Sequence, residues 1–583
     1  MKNPRSSTTS ELEFKQVGEI GHGVEFRGAP FWSWNDELDE EELRRQVRMM
    51  KDGGLGGFFI HSRIGLRTKY MGEAWMKCVA ACIDEAKKQG MQTWLYDEDG
   101  FPSGCAGGLV PTMGDEYARH GLFCRERLPR RIEARHPNTL KHYIAVREGR
   151  TLRDLVDVTK RPFVATDYPD TLSFEFYVDP GEKYVDTMNP KVAQRFLEVA
   201  YEPYAERLKH EFGPDANIPG IFTDEPQIAW FHLPWTATMP NEFRTRRGYD
   251  LLEHLPSLFY EVGPYTKIRH DYWRTATELF VENFTRPLYV WCENHRLKLT
   301  GHANENEHGD LLHWQIAVNG AVMPHYEYMQ IPGIDHLGVG IIPMDRYTIP
   351  LGKQVGSVAH QLGGRRVLCE IFGNFGQHMT FAGQSWTANW LFCLGVDLFC
   401  QHLTPYSVRG LRKRVCPPMF NDLQPWWPWF HLLNNRFARI SYMLTRGRHV
   451  ADILVLHPLT SAWSVFHLEH RDPVTELNDA FIDLSQALLN MHRDFDYGDE
   501  DILSRHGKVS SGGSSPSLIV GKARYRAVLV PPLVTMRETT LRLLKRFRNA
   551  GRKAAAMAAS VSSLEPVSLR QNGSMKAEKN SCR

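Results

Sequence analysis

Short apolar runs that stop abruptly at acidic, histidine or tryptophan positions, most of them followed by a helical stretch, recur eight times along this chain. Buried parallel strands read as continuous apolar runs. Strand and helix alternating at short intervals require right-handed crossovers within one parallel sheet. The strands are predicted at residues 29–34, 57–61, 91–96, 218–224, 297–302, 321–329, 366–372 and 396–402, with helices between them at 191–212, 350–364 and 383–394 and another after the last at 424–445. Asp39 and Glu42 read as a capping box opening the first helix. Residues 105–190 break the rhythm and read as an inserted antiparallel β piece. The count is that of an α/β chain folded as a (β/α)8 TIM-like barrel, here over residues 25–447.

A smaller α/β unit is expected at 448–552, with strands at 450–456 and 525–530, a helix at 475–491 and another around Leu541, Leu544 and Phe547. Its rhythm is flavodoxin-like (class I glutamine amidotransferase-like) and incomplete. Residues 1–24 and 553–583 are polar or small and are expected to be disordered, and the Gly/Ser run at 510–517 reads as a loop.

Seventy basic residues against 68 acidic ones leave a net charge of +2, so no overall field recruits nucleic acid or an anionic membrane. The ten cysteines include no CxxC pair, which points to reduced thiols rather than a disulfide frame or a zinc site. The N-terminus has no apolar leader core and no run reaches the length of a membrane span, so a cytoplasmic location is expected.

The chemistry is sought where the strands end, because barrel enzymes carry it there. The second strand ends in His61, the third in Asp97, Glu98 and Asp99, the fourth in Asp224 and Glu225, and the fifth in His302. The predicted sixth carries His325 and Glu327, the seventh Glu370, and the eighth His402 with Tyr406 beyond it. Paired carboxylates suit glycoside hydrolysis, one donating a proton to the leaving oxygen while the other activates water or attacks the anomeric carbon. Glu225 and Glu370, on opposite sides of an eight-stranded mouth, are the first pair; Glu327 is the second candidate for the base, and Asp224 orients a neighbour. Taken singly, Glu370 also reads as the partner of an arginine such as Arg365. His61, Asp97, Asp99, His302, His402 and Tyr406 are expected to bind substrate. Trp34 is expected with them, among the aromatic residues Trp32, Tyr96, Phe101, Trp230 and Trp235 that stand near strand ends. The basic run Arg409, Arg412, Lys413 and Arg414 reads as a solvated loop or as a subsite for an acidic sugar. A metal-dependent amidohydrolase is a rival, but it needs HxH on strand one, where this chain has Trp32-Ser33-Trp34.

The segments PFWSWN, GGFFIHSRIGL, WLYDEDGFPSGCAGG, FTDEP, HYEYMQIPGIDHLG, CEIFGNFG and HLTPYSVRGLRKRVCPP together resemble glycoside hydrolase family 106, the α-L-rhamnosidases. The resemblance implies a catalytic barrel, an inverting mechanism with two glutamates, a calcium ion that helps to hold the sugar, and an oligo- or polysaccharide substrate. It implies Glu225 as general acid, and Glu370 or else Glu327 as base. For calcium it leaves open Glu305, Glu307 and Asp310, or Asp97 and Asp99. The pattern fades after Gly551, as a truncated or frameshifted product would show. The alternative within the same resemblance is a degenerate barrel that binds carbohydrate without cleaving it.

Overall fold

In the computed structural model the described residues are 14–19, 22–128, 135–161, 170–304, 311–337, 348–363, 366–510, 516–551 and 554–556. The barrel strands are β1 (Phe31–Trp34), β2 (Gly57–Ser62) and β3 (Gln92–Tyr96). The inserted strands β4 (Ala118–Arg127), β5 (Thr139–Glu148), β6 (Thr151–Asp157) and β7 (Leu172–Val185) follow. The barrel resumes with β8 (Gly220–Asp224); β9 (Leu233–Trp235) belongs to the insertion; then come β10 (Lys298–His302), β11 (Ile331–His336), β12 (Leu368–Ile371), β13 (Leu398–Gln401) and β14 (Thr404–Pro405).

The main sheet runs β13-β12-β11-β10-β8-β3-β2-β1-β14 with every pairing parallel. β13 and β14 are two pieces of one stave, and Ala29 N–H also donates to the Phe399 carbonyl at 2.9 Å, so the sheet meets itself. The insertion is an antiparallel sheet in the order β6-β5-β7-β4-β9.

Helix Glu40–Asp52 shows how local chemistry sets an element. Asp39 accepts the Glu42 N–H at 2.9 Å, the expected N-cap, worth about 1 kcal/mol. Glu42 does not return the bond: its carboxylate holds Arg45 and Gln46, and the Asp39 N–H donates to the Tyr406 hydroxyl instead.

Three expectations are corrected. Residues 321–329 are not a strand: Met323–Tyr326 is a helical turn with Pro324 near its start, and the sixth strand is β11. The tail is not wholly disordered, because β21 (Ala554–Ala556) pairs in parallel with β20 (Ala527–Val530). At the N-terminus, Phe14–Val17 is helical, and Arg27 donates to the carbonyls of Val17 and Glu19.

The second unit also contains β15 (Ile453–Leu456) and β16 (Phe495–Gly498), giving a parallel sheet in the order β16-β15-β20-β21. The Gly/Ser run lies between β17 (Gly507–Ser510) and β18 (Ser517–Val520), which with β19 (Ala523–Tyr525) make a small antiparallel sheet. No helix among the described residues is long and apolar enough to cross a membrane.

Candidate active site

Alternation along the strands sends every second side chain toward the barrel axis. Phe31, Phe59, Trp94, Phe222, Leu368 and Leu398 belong to one buried apolar plug. Two residues further along the same strands stand His61, Tyr96, Asp224 and Glu370, one layer nearer the mouth. Burying carboxylates there is costly unless their oxygens are bonded.

The bonds are present. Tyr96 donates to Asp224 Oδ2 at 2.6 Å, and His302 Nε2 lies 2.9 Å from Glu370 Oε2 and 3.5 Å from Asp224 Oδ1. His302 Nδ1 faces the Ala303 carbonyl at 3.0 Å, an obligate acceptor, so Nδ1 carries hydrogen and a further proton lies between Nε2 and Glu370. Burial raises the Glu370 carboxyl above its ordinary range, against the hydrogen bond from His302. Gly301 lets β10 approach β8 beneath this group, since a Cβ there would come within 1.8 Å of the Thr223 carbonyl oxygen.

A cation that the sequence reading missed completes the cluster. Arg63, one residue past β2, lies with Nη1 2.8 Å from His61 Nε2 and Nη2 3.4 Å from His402 Nε2, and its guanidinium sits over the Phe101 ring at 4.7 Å. Burial and this neighbour hold both histidines well below the usual imidazole range, which makes them neutral acceptors. His402 Nε2 is also 3.8 Å from Glu370 Oε1. Asp335, at the end of β11 and in register with Glu370, was missed with the misplaced sixth strand. Its signal was IPGID, an apolar run ending in an acid as in IFTD.

Backbone strain gathers at the two acidic strand ends. Glu225 has φ 49°, and after Glu370 come Phe372 at 78° and Asn374 at 64°. Left-handed backbone at non-glycine residues costs about 1–3 kcal/mol each and persists where the surroundings impose it. The Glu225 N–H donates to the His302 carbonyl at 3.1 Å, so Glu225 leaves β8 alongside the His302–Glu370 pair.

Several expected ligands are scaffold instead. Asp97 is fully buried with both oxygens occupied, by Ser103 at 2.6 Å and Tyr201 at 2.7 Å. Glu98 accepts the N–H groups of Asp99, Gly104, Cys105, Ala106 and Gly107 and so shapes the turn after β3. Asp99, by contrast, is exposed just past the end of β3 and bonded to Ser62. Trp34 is fully buried against Trp32 and Trp75, and Trp32, Tyr96 and Trp235 are buried as well. Of the aromatic candidates, Phe101 is 53% exposed and Trp230 half-buried, so these two remain available to a sugar face. Tyr406 serves the first helix through Asp39. Arg409 and Arg412 pair with Asp36 at 2.9 and 3.4 Å, which fixes the loop to the end of β1, with the Arg409 side chain still exposed.

Glu327 follows the helical turn that precedes β11, at the amino end of the strands, and its carboxylate is held by Arg505 and by His506 at 2.8 Å. It is not part of the mouth. Glu305, Glu307 and Asp310 lie outside the described residues. Calcium takes six to eight oxygens. Asp97 has none to spare, and Asp224, His302 and Glu370, whose donor atoms lie within 4.8 Å of one another, put an imidazole between two carboxylates. That donor set suits a transition metal better than calcium.

Burial pushes the Asp97 carboxyl up to about 8, against the hydrogen bonds from Ser103 and Tyr201. In the unfolded chain it titrates near 4, so between about pH 4 and 8 the native state keeps a proton that the unfolded state releases. The stabilisation this gives is complete below the unfolded value and is lost as pH rises toward 8, at roughly 1.4 kcal/mol per unit. Asp97→Asn should remove that slope, so its Tm gains on the wild type steadily from pH 5 to 8; melting curves that stay parallel across that range contradict the assignment.

The family model described as alpha-L-rhamnosidase, glycoside hydrolase family 106, matches residues 181–572, so the pattern continues past Gly551. A protein of Formosa agariphila described as "Putative beta-glucuronidase" is 26% identical over 300 residues, covering 49% of this chain and 23% of that protein. The match thus spans less than a quarter of that relative's length. A rhamnosidase from Novosphingobium sp. PP1Y superposes with TM-score 0.65 at 14% identity, over 95% of this chain and 70% of that one. A β-galactosidase from Rahnella sp. R3 gives 0.53 at 13% identity, over 91% and 71%. At such identities the likeness is one of fold.

Proposed function

The chain belongs to the α-L-rhamnosidase family, glycoside hydrolase family 106, and from that premise we propose that it hydrolyses α-L-rhamnosyl or related deoxyhexosyl linkages with Glu225 and Glu370 as its two carboxylates. The observation that carries this reading is the buried Asp224–His302–Glu370 cluster, with Glu225 one residue beyond it on the neighbouring stave. Strands four and seven of the barrel supply the two acids, so a glycosidic bond seated across the mouth meets one from each side.

Glu225 donates the proton to the leaving oxygen and Glu370 activates the water. Inversion requires their carboxyls to stand about 6.5–9.5 Å apart. Asp224 holds His302, and His302 holds the proton shared with Glu370. The raised carboxyl of Glu370 favours the reverse assignment, in which it is the acid. The donor set at Asp224, His302 and Glu370 is the observation behind a second reading, a metal-assisted hydrolase.

A panel of aryl glycosides, run with and without a chelator, tests these readings. The expected result is turnover of the α-L-rhamnoside that falls in chelator and returns with Ca²⁺, the ion that the family resemblance implies. Loss of all turnover in chelator, restored by a transition metal, moves the site to metal-assisted hydrolysis; binding of rhamnosides with no turnover leaves a barrel that binds sugar without cleaving it.

A further inference from the structure

At the amino ends of the barrel strands, opposite the catalytic mouth, three donors from three separate segments converge. His360 stands near the end of helix Thr348–Leu362, His449 in the connection after helix Trp427–Leu444, and Asp496 on β16 of the second unit. His360 Nδ1 lies 3.0 Å and His449 Nε2 3.8 Å from Asp496 Oδ1, and the three donor atoms are all within 4.8 Å of one another. Tetrahedral zinc with bonds near 2.0–2.1 Å needs ligand atoms about 3.3 Å apart, between the two measured separations.

We propose that His360, His449 and Asp496 form a divalent transition-metal site that ties the barrel to the second α/β unit. Asp494 supplies the fourth position: its Oδ2 is 3.6 Å from His449 Nε2, while its Oδ1 takes Lys353 Nζ at 2.7 Å. The outer bonds that orient such ligands are also in place, since Tyr525 donates to Asp496 Oδ2 at 2.9 Å. Two imidazoles with carboxylates select zinc-like ions over calcium or magnesium.

The His360 and His449 rings are stacked, with centroids 3.6 Å apart and planes at 11°, so a metal held by both requires one ring to turn about its Cβ–Cγ bond. His449 can do so, with its side chain 26% exposed. It opens on a cleft of about 1010 Å³ shared with Lys353, Arg366 and Asp397, which gives an ion a path from solvent. The cleft also carries Arg446, Arg448, Lys522, Arg524 and Arg526, so Asp494 and Asp496 have to hold the ion within a basic surround, with Lys353 already on Asp494 Oδ1.

The test is a titration of the full chain, dialysed against chelator, with Zn²⁺ by calorimetry and with Co²⁺ by its visible absorption. The wild type should bind one equivalent that His449→Ala and His360→Ala lose by tenfold or more in affinity, while Asp224→Asn, at the other candidate donor set, keeps it. Zn²⁺ should raise the Tm of the wild type and leave that of His449→Ala unchanged. His449→Gln serves if the alanine variant melts differently from wild type in chelator. No bound equivalent in the wild type, or equal affinity in the His449 variants, overturns the site and leaves the cluster a closed polar network; neither result bears on glycoside turnover.

Discussion

Glu370→Gln should lose about a thousandfold in kcat on an aryl α-L-rhamnoside while its Tm holds or rises, because the substitution removes a proton-transfer group and leaves the packing in place. General acid–base catalysis contributes about 10²–10⁴. Glutamine has the shape of glutamate, and its amide N–H can donate to His302 Nε2, 2.9 Å from the carboxylate in the wild type. It cannot take the proton that the pair shares. Burial already disfavours the ionised form at this position, so a neutral amide carries less desolvation cost. Activity and stability therefore separate: a variant that melts like the wild type and does not turn over identifies a catalytic loss. Wild-type kcat in Glu370→Gln removes this residue from the mechanism.

The second large effect is at Glu225, and it depends on the leaving group. A proton donor matters most when the departing oxygen is basic. Glu225→Gln should lose about a thousandfold on an alkyl or phenyl rhamnoside and far less on a dinitrophenyl rhamnoside, whose phenolate leaves unaided. Glu370→Gln should show the same loss across the series, because water activation is needed whatever departs. If the two patterns are exchanged, the raised carboxyl of Glu370 is the acid and Glu225 the base. If neither variant responds to the aglycone, neither residue is the proton donor.

Much of this site was legible because of one contrast. In IFTDE and VLCEIF an acid interrupts an apolar strand, and in a parallel barrel every such strand opens at the same face, so pattern alone placed Asp224 and Glu370 together. What was not legible was which acids face the axis and which are consumed by the turn beyond. Asp97, Glu98 and Asp99 follow one another at the end of β3, yet two are buried scaffold and one is exposed. Those roles are set by Ser103 and five backbone N–H groups of the turn that follows β3, and by Tyr201 from a distant segment.

The misplaced sixth strand had a readable warning. Pro324 in a central strand would forfeit a ladder bond, and the run IPGID further on had the same form as the fourth strand. Arg63 gave no signal, since a single arginine past a strand is usually solvated; it is buried between His61 on β2 and His402 two staves along. The alanine strand at Ala554–Ala556 was missed because small residues at a sheet edge need little burial to pair.

A crystal structure of Glu225→Gln holding an intact α-L-rhamnoside tests the central claim most directly. The account predicts the sugar in the barrel mouth, its glycosidic oxygen within hydrogen-bonding distance of residue 225, and Glu370 on the far side of the anomeric carbon with a water between them. A rhamnoside bound away from His302 and Glu370, or with both carboxyl positions on one side of the scissile bond, contradicts it.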